Sequence, residues 1–512
     1  MMSHALVLLL GLLVVHGSSW EGDCKPSVSA SMVQLQSTSS KQRPPEPACA
    51  PLQNKGSFFT VKVCVGTPPQ CFDTVADTGS DNVIITSCIC NDISGTGCPA
   101  HDTCFRGTDK STTFHVPDNP MAESITFGSG TVETAVATDI VDVAGIKANM
   151  SNSLLLIVNK AALRINSDFH GILGLGLPKS QETLWASGET VMGQTSEHLN
   201  EAHLSSTVSN GLWANWPCML FPDLCGSNEL NHQTYKSQNA HKSRAKESEP
   251  LFLKASHVQR FSLCFLDSGK PGALRLQIPP LESPIPQIGK FHWGLSFVGM
   301  SIGPRHQDAP SKMIFCGRDE QKPGTRSPCG IIPDSGTTLL TGPSQQVLAL
   351  ERELCRNWPR CSQLGTPSSL LFQNVLLNCS GWLSEGGLEE IPSIFFHVET
   401  GGGEVKGFEL TSWAFVTQAV DEIRPEKSYC FSGFEKMDYF TEDNGPVWIF
   451  GSPLFYEYVV GFDQVSNQVS LYNSECQSCT DSAALMSVKG KRRPRVQNGP
   501  HHIRNIDVSL PL

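Results

Sequence analysis

No apolar stretch in the 512 residues approaches the roughly 18 that a membrane-spanning helix needs; the longest uninterrupted run is the 11 residues from Ala5 to Val15. A membrane span is therefore excluded as an expectation, and no lipid-anchor signal ends the chain at Asp507–Leu512. Also absent are a phosphate-binding Gly-Lys-Ser/Thr loop and a dinucleotide fingerprint. His198 and His203 stand five residues apart around Asn200-Glu201, the wrong spacing for two zinc ligands on one helical face, so no metal and no cofactor are expected. No Gly-x-Ser-x-Gly stretch lies between a strand and a helix, which removes the commonest serine-nucleophile signature. The basic run Lys489–Arg495 lacks interleaved aromatics in a protein of net charge −11, which argues for a solvated tail or a cleavage point and against nucleic-acid binding.

What is present is globular and mainly β. Apolar residues make up 39% and charged residues 17%, enough for two core-bearing lobes. Frequent glycine and proline (44 and 34) punctuate short apolar runs such as Phe58–Val63 and Gln468–Leu471, the pattern of strands and turns, with few helices. The apolar run at Ala5–Val15 precedes the small residues Gly17-Ser18-Ser19, as in a signal peptide over 1–19.

Two segments repeat one another. Val75-Ala76-Asp77-Thr78-Gly79-Ser80 and Ile332-Pro333-Asp334-Ser335-Gly336-Thr337 each set an aspartate between an apolar run and a glycine turn. An apolar pair ending in glycine follows each, Ile172-Leu173-Gly174 and Ile449-Phe450-Gly451, at offsets of 97 and 117 residues. Two carboxyls facing one another across a pseudo-two-fold axis cannot both ionise, so one keeps a proton while the other acts as base toward water. Gly79 and Gly336 would let the backbone turn tightly, and the hydroxyls of Ser80 and Thr337 would hold the carboxylates in orientation.

On these residues the chain resembles the pepsin-like aspartic proteases. Further segments fall in the family's order: Val65–Gln70, Ile125–Gly130, Gly171–Leu175, Phe261–Leu263, Leu339–Pro343, Ile391–Ile394, Tyr429–Phe434 and Trp448–Gly451, together spanning roughly residues 56 to 473. The resemblance implies a mainly β, two-lobed pepsin-like acid protease fold with pseudo-two-fold symmetry and a cleft between the lobes. It implies a monomeric aspartic endopeptidase acting on peptide or protein substrates at acidic pH, with Asp77 and Asp334 activating water and a flap over the substrate at Phe127, Gly128 and Ser129. The alternative is a pepsin-like binding protein of little or no activity, taking a peptide, a protease or a glycan.

This chain departs from the family's pattern at three places. Phe127 stands where the flap usually has tyrosine, and Ile84 where a tryptophan usually follows the first aspartate, so the hydrogen bond that links those two side chains in the family cannot form. Pro333 directly before Asp334 removes a backbone donor beside the turn.

The implied organisation is a signal peptide over 1–19, a prosegment or linker over 20–55, an N-terminal lobe over 56–260 with an insertion at about 180–250, a C-terminal lobe over 261–474 and a disordered tail over 475–512. The prosegment reading is weakened by its few basic residues, Lys25, Lys41 and Arg43. Nineteen cysteines point to the secretory route, ending outside the cell or in an acidic vacuolar or lysosomal compartment. Sequence proximity and the resemblance pair Cys379 with Cys430, Cys316 with Cys329, Cys64 with Cys71, Cys24 with Cys49, Cys218 with Cys225, Cys355 with Cys361 and Cys476 with Cys479. Cys88, Cys90, Cys98 and Cys104 make two more bridges, and Cys264 is left as a buried free thiol. Asn149 and Asn378 begin glycosylation triplets.

Overall fold

The computed structural model describes residues 44–118, 121–127, 129–163, 169–177, 251–267, 270–420, 428–479 and 504–505. The signal peptide, the whole insertion at about 180–250, Gly128, Cys24 and the expected pair Cys218 and Cys225 lie outside the described residues.

Strands form where apolar residues alternate. In Phe59–Val65 the side chains of Phe59, Val61, Val63 and Val65 are buried while Lys62 is exposed, the period-two pattern of a sheet with one covered face. The strand Gln70–Asp77 pairs antiparallel with Phe59–Val65 and parallel with Gly171–Gly174, and the latter pairs antiparallel with Val83–Thr86. The second half follows the same path. Cys329–Pro333 pairs antiparallel with Leu295–Gly303 and parallel with Gly445–Phe450, which pairs antiparallel with Leu340–Gly342. The architecture is two-lobed and mainly β, and the repeat seen in the motifs is a repeat of topology.

Strands from both halves meet in one sheet. Ala48–Asn54 pairs with Gly272–Leu276, which continues through Arg260–Cys264, Val459–Asp463 and Gln468–Tyr472. Ala48–Asn54 falls inside the stretch read as a prosegment or linker, yet Ala50 and Leu52 are buried and the strand also pairs with Phe59–Val65. Composition misled there because two alternating apolar residues suffice for a strand already flanked by others.

The tail reading is corrected in its first residues. Cys476 is bonded to Cys264 and Cys479 to Cys49, so Cys264 is not free, Cys476 does not pair with Cys479, and Cys49 does not pair with Cys24. Both bridges pack with Ala273, Val459 and Tyr472 on the shared sheet. Proximity in sequence favoured short loops, whereas the sheet joins cysteines 430 and 212 residues apart. Arg504–Asn505 adds a short parallel pairing to Val416–Val420. Among the described residues the remaining bridges are Cys64–Cys71, Cys88–Cys104, Cys90–Cys98, Cys316–Cys329, Cys355–Cys361 and Cys379–Cys430. The longest described helix, Ser344–Asn357, packs Val347, Leu350 and Leu354 inward, and no described helix is long and apolar enough to cross a membrane.

Candidate active site

Asp77 ends the strand Gln70–Asp77, and Asp334 follows directly on Cys329–Pro333. Each is held by its own turn in the same way. Gly79 N–H donates to Asp77 Oδ1 at 2.8 Å and the Ser80 hydroxyl donates to Asp77 Oδ2. Gly336 N–H donates to Asp334 Oδ1 at 2.9 Å and Thr337 Oγ1 to Asp334 Oδ2 at 2.8 Å.

The two carboxyls meet one another and share a hydrogen bond. Burial, and after it the charge of Asp334, push Asp77 from its ordinary 3.8 up to about 8, against the opposing pull of Ser80 and the Gly79 amide. The pair therefore holds one proton well above the usual carboxylate range.

The glycines serve close approach. A Cβ on Gly79 would lie 2.6 Å from the Asp334 carboxyl carbon, and one on Gly336 would lie 2.5 Å from Asp77 Oδ1. Neither glycine has a positive φ. Each is small because the opposite aspartate occupies the space, a different reason from the tight turn expected of it.

The residues between aspartate and glycine, which carried no expected role, join the two halves. Thr78 N–H donates to Ser335 Oγ and Ser335 N–H to Thr78 Oγ1, each at 3.0 Å. Thr78 Oγ1 donates on to Pro333 O at 2.9 Å, and Ser335 Oγ to Ala76 O at 2.7 Å. Both side chains are fully buried, so the exchange fixes the separation of the aspartates in a region without competing water. The missed signal was a hydroxyl at the same place in both motifs. Pro333 fits this arrangement: its carbonyl accepts from Thr78, and the next amide, Asp334 N–H, donates to Phe450 O at 3.0 Å.

Gly174 and Gly451 complete the floor. Gly174 N–H donates to Asn82 O at 2.9 Å and Gly451 N–H to Leu339 O at 3.0 Å, each tying a crossing strand to the loop of its aspartate. A Cβ on Gly174 would lie 2.4 Å from Asn82 N, and one on Gly451 would lie 2.3 Å from Thr337 O.

Phe127 ends the strand Ala122–Phe127, whose hairpin partner begins at Gly130, and Ser129 is half-buried in the turn between them. Phe127 rests against an apolar cluster that contains Ile84, Val75 and Ile172. Packing thus stands where a hydrogen bond between tyrosine and tryptophan was expected to be missing. Gly130, at φ +136°, abuts Ala162 O closely enough to exclude any side chain. Asn149 and Asn378 are both exposed, the latter beside the bonded and buried Cys379. Among the described residues no group of three or more His, Cys, Asp or Glu could hold a metal ion.

Comparison with known proteins agrees with this geometry. The family described as eukaryotic aspartyl protease matches residues 58–205 and 314–473, together more than half of the chain. Cathepsin E-A of Xenopus laevis is 23% identical over 441 residues, covering 86% of this chain and 85% of that protein. Pepsin II-1 of Oryctolagus cuniculus is 23% identical over 416 residues, 80% of this chain and 79% of the other. Napsin-A of Mus musculus is 24% identical over 458 residues, 88% of this chain and 86% of the other.

Proposed function

Because the chain belongs to the eukaryotic aspartyl protease family, we propose that it is an aspartic endopeptidase whose catalytic pair is Asp77 and Asp334. The observation that carries this reading is the pair of facing carboxyls, Asp77 buried and Asp334 half-buried, each gripped by the amide and hydroxyl of its own turn and together holding one proton.

In the singly protonated pair, the ionised carboxyl takes a proton from water as the water adds to the scissile carbonyl. The protonated carboxyl donates to the carbonyl oxygen as charge develops there. No acyl-enzyme forms, since the nucleophile is water itself. Ser80 and Thr337 each hold one oxygen of their own carboxylate, and Thr78 with Ser335 keeps the two carboxylates at a fixed distance. The hairpin around Phe127 and Ser129 covers an extended peptide, with the half-buried Phe127, backed by the buried Ile84, offering an apolar wall to the side chain beside the scissile bond.

Acidic to neutral working pH follows from the raised Asp77, because the pair keeps its shared proton until pH approaches that value. Eight described disulfides fit synthesis in an oxidising compartment. Glycosylation at the exposed Asn149 belongs to the same reading.

Residues 20–512 and an Asp77→Ala variant, expressed in a secretory host and offered a mixed peptide library from pH 3 to 7, test the proposal. Pepstatin-sensitive cleavage that vanishes in the variant is the expected result. A folded protein without turnover at any pH, also after trimming the residues before Ala48, would refute it and favour a binding role.

A further inference from the structure

A hairpin from the second half of the chain reaches the loop of the first aspartate. Ile288 N–H donates to Gly294 O at 2.8 Å and Gly294 N–H to His292 O at 2.7 Å, closing a tight turn between Gln287 and Leu295, which pair as an isolated bridge. Lys290 anchors one side through a 2.7 Å ion pair with Asp443. Trp293 anchors the other, fully buried against Phe261 and Phe462.

Two adjacent side chains of this turn then grip two neighbouring segments. The Trp293 indole N–H donates to Leu175 O at 3.0 Å, and Leu175 N–H donates in turn to Asp77 O at 2.7 Å. His292 Nδ1 lies 3.0 Å from Gly79 O. A carbonyl oxygen only accepts, so Nδ1 carries the hydrogen and the tautomer is assigned by its partner.

Gly79 is the pivot of the Asp77 loop. Its N–H holds Asp77 Oδ1, and its carbonyl belongs to the peptide that leads into Ser80, whose hydroxyl holds Asp77 Oδ2. Glycine backbone is soft, and this glycine is required for the approach of Asp334. A donor on its carbonyl therefore restricts both hydrogen bonds to the carboxylate at once.

We propose that His292 is a positioning residue for the aspartate pair, its Nδ1–H fixing the Gly79 peptide and through it the two donors on Asp77. The role is asymmetric, because no described side chain is seen to donate to the carbonyl of Gly336, the matching glycine of the second motif. A device of this kind distinguishes two otherwise repeated carboxyls.

The inference rests on the peptidase reading for its kinetic test and on stability for an independent one. His292→Phe keeps a ring and loses the donor, and His292→Asn restores a donor near the place of Nδ1. The expected result for His292→Phe is about a tenfold fall in kcat with KM within about twofold, the size of one lost hydrogen bond at a reacting centre. The alkaline limb of kcat should also move to higher pH, because a carboxylate with looser donors holds its proton longer. His292→Asn should recover most of both effects. Unchanged kcat and limb in His292→Phe, or equal damage in the two variants, would overturn the proposal.

The same variants are unfolded with urea from pH 4.5 to 9, which reads protonation of Asp77 whether or not any peptide is cleaved. In His292→Phe, the pH at which stability stops falling should move upward relative to the wild type, and in His292→Asn it should return. Absence of wild-type cleavage would thus sink the peptidase reading alone, while an unmoved break in the stability curve would sink the role of His292.

Discussion

Replacing Asp77 by asparagine should make the protein more stable at neutral pH, although it removes a residue at the centre of the site. The native state holds the Asp77 proton up to about 8, whereas the unfolded chain releases it near 3.8. Below pH 3.8 both states are protonated and the group has no effect on stability. Between the two values the unfolded chain loses its proton first, so stability falls as pH rises, by about 1.4 kcal/mol per unit. By pH 7 the accumulated loss is about 4 kcal/mol from this one group, whose side chain is only 8% exposed.

Asparagine has nearly the shape of the protonated carboxyl, can still donate toward Asp334 and carries no charge at any of these pH values. The wild-type minus Asp77→Asn stability difference should therefore fall with a slope of about 1.4 kcal/mol per pH unit between pH 4.5 and 7. Urea unfolding followed by tryptophan fluorescence measures it, with Trp293 and Trp448 as buried reporters. Parallel curves for the two proteins across that range would refute the proton-sharing argument, because they would mean that burial and Asp334 do not act on Asp77.

Thr78→Val keeps shape but leaves Ser335 N–H and Pro333 O without their buried partner, at a cost of about 2–5 kcal/mol in a urea titration at constant pH. Gly336→Ala should lower kcat at least about a hundredfold in the peptide assay while leaving the fold intact by circular dichroism, since the added carbon would stand 2.5 Å from Asp77 Oδ1. His397, buried and hydrogen-bonded to Ser301 at 2.7 Å, is pushed below its usual range by burial, so the native state resists the proton that the unfolded chain accepts. Stability from this group is lost as pH falls below the ordinary histidine value of 6.5, and His397→Phe should flatten that acid limb in thermal unfolding.

The aspartate motifs were legible because each is a short local pattern that occurs twice, and so were the two crossing strands ending in Gly174 and Gly451. The β class followed from short apolar runs such as Phe58–Val63, punctuated by frequent glycine and proline. What escaped were relations between distant parts of the chain. His292 reaches Gly79 across 213 residues with no motif of its own, and Thr78 meets Ser335 across 257. The bonding of Cys264 required knowing that its strand lies beside the segment after Tyr472, which only the assembled sheet reveals. Gly79 was recognised for its backbone freedom, while its real constraint, the nearby Asp334 carboxyl, belongs to the other lobe.

The bridge between Cys49 and Cys479 turns this enzyme-like fold into a covalent hoop. Its two ends are fastened to each other, so a single cut at any peptide bond between them opens the hoop without producing two molecules. A chain clipped once, in a loop of either lobe, would keep its full mass on a non-reducing gel and part into fragments only after reduction. Loss of an intact band on a reducing gel is therefore no measure of how much of the two-lobed assembly, or of its paired aspartates, has survived.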